Sequence, residues 1–230
     1  MIKSFDKNWE TNIYSRGKQL NEYPYDILVS IITRKFFNIP RKQRKKIKIL
    51  DLGCGAGNNS KFLAENSFDV YGIDGSKSAI EICKNRFKKW GLKGNFIQGD
   101  FWKLPYKNNF FDVIIDRESL YANRFKIIQK TINEVYKKLK KNGLFVSFIY
   151  SSHHPDREYG KQIELNTYNN FKEGSCFYKT GVVHFVDIKE ILGLYSKFKI
   201  ENIIKHSLIE VYNKSSRFME FDEYIIIIIK

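Results

Sequence analysis

The chain has 230 residues, and at about 150 residues per domain that leaves room for one full domain with a small insertion. A hydrophobic fraction of 43% beside 28% charged residues excludes a disordered chain, and 14 Gly with 4 Pro exclude a collagen-like or low-complexity one. Lys and Arg outnumber Asp and Glu by 40 to 25, a net charge of +15. Cys54, Cys83 and Cys176 show no paired spacing, so neither a disulfide framework nor a metal site is predicted, and a reducing, cytoplasmic setting suits them.

The first 20 residues mix charge and polarity throughout and hold no h-region of a signal peptide. Residues 26–37 carry apolar side chains at helical spacing, opened by Pro24-Tyr25. A short buried strand is predicted over 47–52, followed by the turn Gly53-Cys54-Gly55-Ala56-Gly57 and a helix through Leu63. Further strands are predicted at 69–73, 95–98, 111–115 and 144–150, with helices at 76–90 and 125–140 and Gly143 as a helix stop. This alternation predicts an α/β fold, a doubly wound and mostly parallel sheet with helices on both faces.

The last third changes character. Residues 151–185 are polar, aromatic and poorly periodic, which predicts an excursion over the C-terminal edge of the sheet. A helix is expected at 188–198, then two strands at 199–211 and 218–229 joined by Asn213-Lys214-Ser215-Ser216. A hairpin forces one strand to run antiparallel, giving a Rossmann-like sheet of seven strands with one reversed. The longest aliphatic run, residues 225–229, falls far short of the roughly 20 residues needed to span a bilayer, so no membrane insertion is expected.

The segment Ile49-Leu50-Asp51-Leu52-Gly53-Cys54-Gly55-Ala56-Gly57 is strand, glycine turn and helix start. Glycines there allow positive φ and let a ligand approach bare backbone near a helix N-terminus. A dinucleotide fingerprint would place its third glycine one position later, where this chain has Asn58. Asp51, two residues before the first glycine, suits a cationic group such as an amine. Asp74, followed by Gly75, ends the second strand, where a carboxylate accepts ribose hydroxyls. Asp100-Phe101 ends the third, where an acid holds an exocyclic amine beside an aromatic wall, and Asp116 ends the fourth. All four acids fall at the C-terminal ends of parallel strands, where open α/β sheets bind ligands.

This set resembles the class I S-adenosylmethionine-dependent methyltransferases, whose first motif is Asp/Glu-x-Gly-x-Gly-x-Gly. The likeness is close over residues 47–150, and the seven-strand order with a reversed strand extends it to the C-terminus. It implies S-adenosyl-L-methionine as cofactor, with Gly53, Gly55 and Gly57 around its methionine part, Asp74 on the ribose, Asp100 and Phe101 on the adenine, and Asp116 near the sulfonium and acceptor. One domain over 1–230 follows: a lid and helix (1–46), a cofactor-binding core (47–150), an acceptor-site excursion (151–186), and a helix with C-terminal hairpin (187–230).

The signatures of base-modifying, metal-dependent and protein-arginine methyltransferases are missing: Asp116-Arg117-Glu118-Ser119-Leu120 follows the fourth strand, and Ser151-Ser152-His153-His154-Pro155-Asp156 the fifth. The opening segment, with Trp9, Tyr14, Gly17, Tyr23 and Tyr25, reads as a lid. It is similar to that of small-molecule methyltransferases encoded with bacterial capsule and surface-polysaccharide pathways. That resemblance implies O-methylation of a small anionic acceptor, a sugar or phosphoramidate precursor. His154 is the expected general base with His153 second, because histidine titrates near neutral pH. Arg117 is expected to orient the anion through its planar fork, and His184 to roof the site. An RNA methyltransferase is the competing reading, prompted by the basic charge. It is not favoured, because the basic runs at 41–48 and 137–141 read as a loop and a helix end without interleaved aromatics. A catalytically inactive binder of the cofactor is the other alternative.

Overall fold

A computed structural model describes residues 5–210 and 220–230. In chain order its first elements are α1 (Asp26–Phe36), α2 (Arg41–Arg44), β1 (Lys48–Leu52), α3 (Asn58–Glu65), β2 (Asp69–Asp74), α4 (Lys77–Lys89), β3 (Asn95–Gln98), β4 (Phe111–Arg117), α5 (Phe125–Lys138) and β5 (Leu139–Tyr150). Then come β6 (Lys161–Glu164), β7 (Thr167–Asn169), β8 (Val183–His184), α6 (Ile188–Leu194), β9 (Lys199–Leu208) and β10 (Phe221–Ile229). The main sheet has seven strands in the order β3-β2-β1-β4-β5-β10-β9. β1 to β5 pair in parallel, while β10 runs antiparallel to both β5 and β9. The single reversed strand of the sequence reading is therefore β10.

The alternation of side chains across the pleat divides the interior into two cores, one on each face of the sheet. Leu50 and Leu52 of β1, Ile114 of β4, Phe145 and Ile149 of β5, and Ile226 and Ile228 of β10 face one side, where Ile128, Ile132 and Val135 of α5 pack on them. Ile49, Val113, Ile115, Val146, Phe148, Ile225 and Ile227 face the other, against Leu28, Ile31 and Ile32 of α1, Leu63 of α3, and Ile80 and Phe87 of α4. The run of isoleucines in β10 thus serves both cores by turns. No helix among the described residues is long and apolar enough to cross a membrane.

Two expectations change. Residues 151–185 are not merely irregular: β6, β7 and β8 form a separate antiparallel sheet, whose strands of four, three and two residues are too short to show a period. Gly143 does not stop α5. The helix ends at Lys138, β5 begins at once with Leu139 opposite Phe111, and Gly143 follows an irregular step where Asn142 has φ 62°. The hairpin turn at Asn213-Lys214-Ser215-Ser216, with the adjoining strand ends, lies outside the described residues.

Asp51 is tied into the fold and does not line the cleft described below. It is 1% exposed, and its Oδ2 accepts the Ser60 hydroxyl at 2.6 Å, which ties β1 to α3. Burial pushes its carboxyl from 3.8 up to about 7, although the Ser60 hydrogen bond acts the other way. A carboxyl with a raised folded pKa holds its proton more tightly when folded, so stability falls as pH climbs from the unfolded value through about 7. Asp51→Asn removes the charge and keeps an acceptor for Ser60. It is expected to melt above the unmodified chain at pH 8 by roughly 2–4 °C or more, with the gap closing below pH 5. Thermal melts at the two pH values check this, and coincident melting at pH 8 would refute it.

Candidate active site

The C-terminal ends of β1, β2, β4 and β5 open into a cleft of about 400 Å³. Its floor is the glycine turn after β1, anchored where the amides of Gly53 and Cys54 both donate to Ile73 O at 2.8 and 3.1 Å. The bare backbone is used first by the protein's own side chains. A Cβ on Gly53 would lie 2.0 Å from Ser119 Oγ, and one on Gly55 would lie 2.5 Å from the hydroxyl of Tyr14 in the N-terminal segment. Cys54, between them, is buried and lines the cleft. Gly57 does not line it: with φ 87° it caps α3, and a Cβ there would sit 2.6 Å from Cys83 Sγ of α4.

Asp74 lines the cleft from the end of β2 and is 6% exposed. Its Oδ2 accepts the Gly55 amide at 2.9 Å and its Oδ1 the Ser76 amide at 2.8 Å. Burial nonetheless pushes the carboxyl up to about 6. Phe101 also lines the cleft. Asp100 does not; its carbonyl receives the Lys103 amide in the turn after β3. A Cβ on Gly75 would fall 2.2 Å from the ring of Phe5, which reaches into the cleft where the sequence reading expected a ligand. Gly17, with φ 65°, ends the 3-10 turn Tyr14–Arg16 and shapes the lid without lining the cleft.

The turn after β4 forms the opposite wall. Asp116 is fully buried: Oδ1 accepts the amides of Ser119 (2.9 Å) and Leu120 (3.1 Å), and Oδ2 accepts the Ser147 hydroxyl (2.8 Å). It holds the turn and is not part of the cleft lining, so its expected position beside the reacting groups is corrected. Arg117 lines the cleft but is already matched. It ion-pairs with Glu118 and, at 3.7 Å, with Glu223 of β10, and its guanidinium carbon lies 3.8 Å from the centroid of the Tyr25 ring. Burial opposes its charge, and the two carboxylates more than restore it. Glu223, pushed up to about 7 by burial, also meets His206 Nδ1 at 3.0 Å. Arg117 thus meets the cleft as part of an ion-paired cluster, with its Nε without a hydrogen-bond partner among the described residues.

The histidines lie away from the cleft. After β5 the hydroxyl of Ser151 bonds to Asp222, and the chain turns off through a 3-10 turn, Pro155–Tyr159. His154 caps that turn, its Nδ1 accepting the Asp156 amide at 3.1 Å. Its ring packs behind Tyr150 and Phe177, at centroid distances of 4.9 and 5.1 Å, and burial lowers its pKa. His153 and His154 line a second, open pocket with Arg157 and Tyr168. His184 is buried against Thr167 Oγ1 (2.8 Å) and Glu190 (3.7 Å), fastening the small sheet to α6. What lines the cleft in their place is Glu118, Tyr25, Tyr121, Tyr150 and Phe177. Tyr150 was readable as the last residue of β5; Tyr25 and Phe177 arrive from segments whose path only the folded chain reveals.

A family model described as a methyltransferase domain matches residues 43–208. A Geobacillus sp. (strain WCH70) protein named as a methyltransferase is 30% identical over 149 residues, 64% of this chain and 60% of that one. The ubiquinone biosynthesis O-methyltransferase of Rickettsia prowazekii (strain Madrid E) is 28% identical over 204 residues, 83% of this chain and 75% of that one. The chain spans 60%, 40% and 42% of the length of the first curated relatives it matches. Among solved structures, an S-adenosylmethionine-dependent methyltransferase of Methanosarcina mazei superposes with a TM-score of 0.71 at 20% identity, over 90% of this chain and 98% of that one. The 1,6-didemethyltoxoflavin-N1-methyltransferase of Burkholderia thailandensis, solved with 1,6-didemethyltoxoflavin and S-adenosylhomocysteine bound, gives 0.67 at 15%, over 94% and 83%. At such identities the structural likeness speaks for the fold, and the family match over residues 43–208 completes it: the chain belongs to the methyltransferase-domain family and has the fold of S-adenosylmethionine-dependent methyltransferases.

Proposed function

We propose that the chain transfers the methyl group of S-adenosylmethionine to a small molecule enclosed in the cleft. The observation that carries this reading is the juxtaposition of the Gly53–Gly55 turn, the buried Asp74 carboxylate and the Phe101 ring in one cavity at the C-terminal strand ends. The residues suit the cofactor. Asp74 keeps lone pairs for ribose hydroxyls, Phe101 offers a ring to a purine, and the Trp9 indole N–H is buried without an acceptor among the described residues. When bound, the cofactor would supply an electrophilic methyl; the chain's part is to align it with the acceptor and keep water out, and alignment can account for roughly 7–11 kcal/mol of a barrier.

A cavity of about 400 Å³ lies within the range of small-molecule sites, roughly 300–1,000 Å³, rather than suiting a polymer. The named chemistry of two relatives, O-methylation in ubiquinone biosynthesis and N1-methylation of 1,6-didemethyltoxoflavin, supports a small acceptor as well. The finer reading from the sequence, a sugar or phosphoramidate precursor of a surface polysaccharide, relied on Arg117 as an anion fork. That guanidinium is ion-paired with two carboxylates, so sugar phosphates are kept as one arm of the test.

Titration calorimetry with S-adenosylmethionine is expected to show binding that Asp74→Ala weakens at least tenfold; unchanged affinity would remove Asp74 from the site. Because a charged carboxylate is needed to accept the ribose hydroxyls, affinity should be full above about pH 7 and fall as pH drops through about 6, the value to which burial raises Asp74. A flat profile between pH 5 and 8 would count against that role. Incubation with methyl-labelled cofactor and panels of amines, phenols, sugar phosphates and total RNA should place label in a small molecule, whereas label confined to RNA would overturn the reading.

A further inference from the structure

The net charge of +15 is not spread evenly over the molecule. Because β1 to β5 are parallel, each starts at the end of the sheet opposite the cleft, and α4 and α5, which connect parallel neighbours, run back and finish there. β9 starts at that end too, with Lys199 opposite Ile229 of β10. The segments 41–48, 88–93, 137–141 and 197–199, with Lys230, bring Lys and Arg to it and contain no acid. Acids collect at the other end. Asp51, Asp74 and Asp116 lie at the close of β1, β2 and β4, and Asp222 and Glu223 at the opening of β10.

Hydrogen bonds join the basic segments. The Asp112 carboxylate accepts the Lys48 amide at 2.8 Å and Lys140 Nζ at 2.7 Å, which sets the run before β1 beside the run that ends α5. Lys230 Nζ donates to Leu139 O at 2.7 Å and to Asn109 at 2.8 Å. The acids at this end are few and already used: Asp69 pairs with Lys48, Asp112 with Lys140, Glu134 with Lys137 and Lys138, and Glu201 with Lys35. Lys45, Lys46, Lys88, Lys89, Lys93 and Lys141 are left exposed, without a carboxylate partner among the described residues. Cations favour the last turn of a helix, which accounts for Lys88 and Lys89. Lys46, Lys93 and Lys141 lie outside any helix and its caps.

The shape and chemistry of this end decide what it fits. Seven strands at about 4.8 Å spacing make it about 29 Å across. Cations lie on it from the α4 face of the sheet to the α5 face, so the charge covers an area rather than a line. The six unpaired cations are all lysines, compact charges on flexible stems, whereas nucleic-acid recognition favours the arginine fork and open aromatic rings. Rings at this end are covered by the chain's own cations: the Arg44 guanidinium lies 4.0 Å over Phe37, and Lys230 Nζ 4.8 Å over Tyr136. We propose that this end of the sheet is a docking surface for an anionic lipid bilayer. The chain rests there by charge attraction, with the cleft directed away from the lipid and open to soluble ligands.

The test is co-sedimentation of the full chain with vesicles of phosphatidylcholine alone and of phosphatidylcholine with about a third phosphatidylglycerol. Binding to the anionic vesicles should exceed binding to the neutral ones at least tenfold. It should be lost as salt rises from about 0.1 M to 1 M, where the screening length falls from about 10 Å to 3 Å. Lys45→Glu, Lys46→Glu and Lys141→Glu together should weaken binding at least tenfold. Lys126→Glu, Lys161→Glu and Lys172→Glu, the same change of charge at the cleft end, should weaken it less than threefold. Equal binding to both vesicles, or binding that survives high salt, would overturn the proposal on the unmodified chain without any variant. Equal losses in the two triple variants would assign the binding to net charge and overturn the surface. Tighter binding to an RNA duplex than to the anionic vesicles, at equal phosphate and salt, would give this end to nucleic acid and overturn the proposal as well.

Discussion

The buried carboxylate of Asp116 organises the site without entering it. By accepting the amides of Ser119 and Leu120 and the hydroxyl of Ser147, it fixes the turn that leaves β4 and locks that turn to β5. Ser147 in turn receives the hydroxyl of Tyr195, which extends the bond from the sheet to the end of α6. Several consequences follow from that one anchor. Ser119 is brought against Gly53, so the β4 turn and the β1 turn fit only if residue 53 lacks a Cβ. Glu118 is held in its left-handed backbone, and Arg117 is directed towards Glu223 of the reversed strand. Burial raises the Asp116 carboxyl to about 7 while three hydrogen bonds act to keep it ionised. This is the arrangement expected where polar anchoring, rather than solvation, holds a group in place.

The N-terminal segment depends on a second set of polar fastenings. Glu10 accepts both the Ser76 and Ser78 hydroxyls, at 2.5 Å each, at the start of α4. Arg86, further along α4, donates to the carbonyls of Leu20 (2.6 Å) and Asn21 (3.0 Å). Asn58 and Asn59 of α3 bond to the backbone of Tyr23 and Tyr25, and Asp6 reaches the amide of Val182 beside the small sheet. The N-terminal segment therefore rests on α3, α4 and the excursion together. Tyr14, Trp9 and Tyr25 enter the cleft because their neighbours are tied down, not because the rings alone bury enough surface. A lid held by separate hydrogen bonds at its ends can be released locally at smaller cost than an element packed into the core.

The parts of the molecule that obey a local period were legible in the sequence. β1, β2 and β4 announce themselves by apolar runs ending in Asp or Gly, and α5 by its stripe at Ile128, Ile132 and Val135; their order then requires the parallel sheet. Asp74 and Phe101 were singled out because strand ends are where such sheets bind ligands, and both line the cleft. The same rule named Asp51 and Asp116, whose carboxylates are turned inward to Ser60 and to Ser147 with two amides, because it cannot tell a carboxylate facing the cleft from one facing the core. Gly57 answered to helix packing for the same reason. His153 and His154 follow β5 in sequence, yet the bond from Ser151 to Asp222 turns the chain away before either can reach the cleft. The wall of Tyr25, Tyr121 and Phe177 comes from three distant segments, and no local pattern brings those residues together.

Net charge proved a poor guide to the site because the two act over different distances. The lysines and arginines that give +15 lie largely on solvated surface, where salt screens them beyond about 8–10 Å. Inside the cleft the effective dielectric is lower, and nearby groups dominate. There Arg117, the one base lining the cleft among the described residues, is paired with Glu118 and Glu223, and Glu223 comes from β10, which runs antiparallel beside β5. The reversed strand thus does more than complete the sheet. It carries the second carboxylate beside Arg117, so that Glu118 and Glu223 together face that guanidinium. A basic surface draws anions from a distance, whereas inside the cleft the adjacent carboxylates decide what Arg117 can meet.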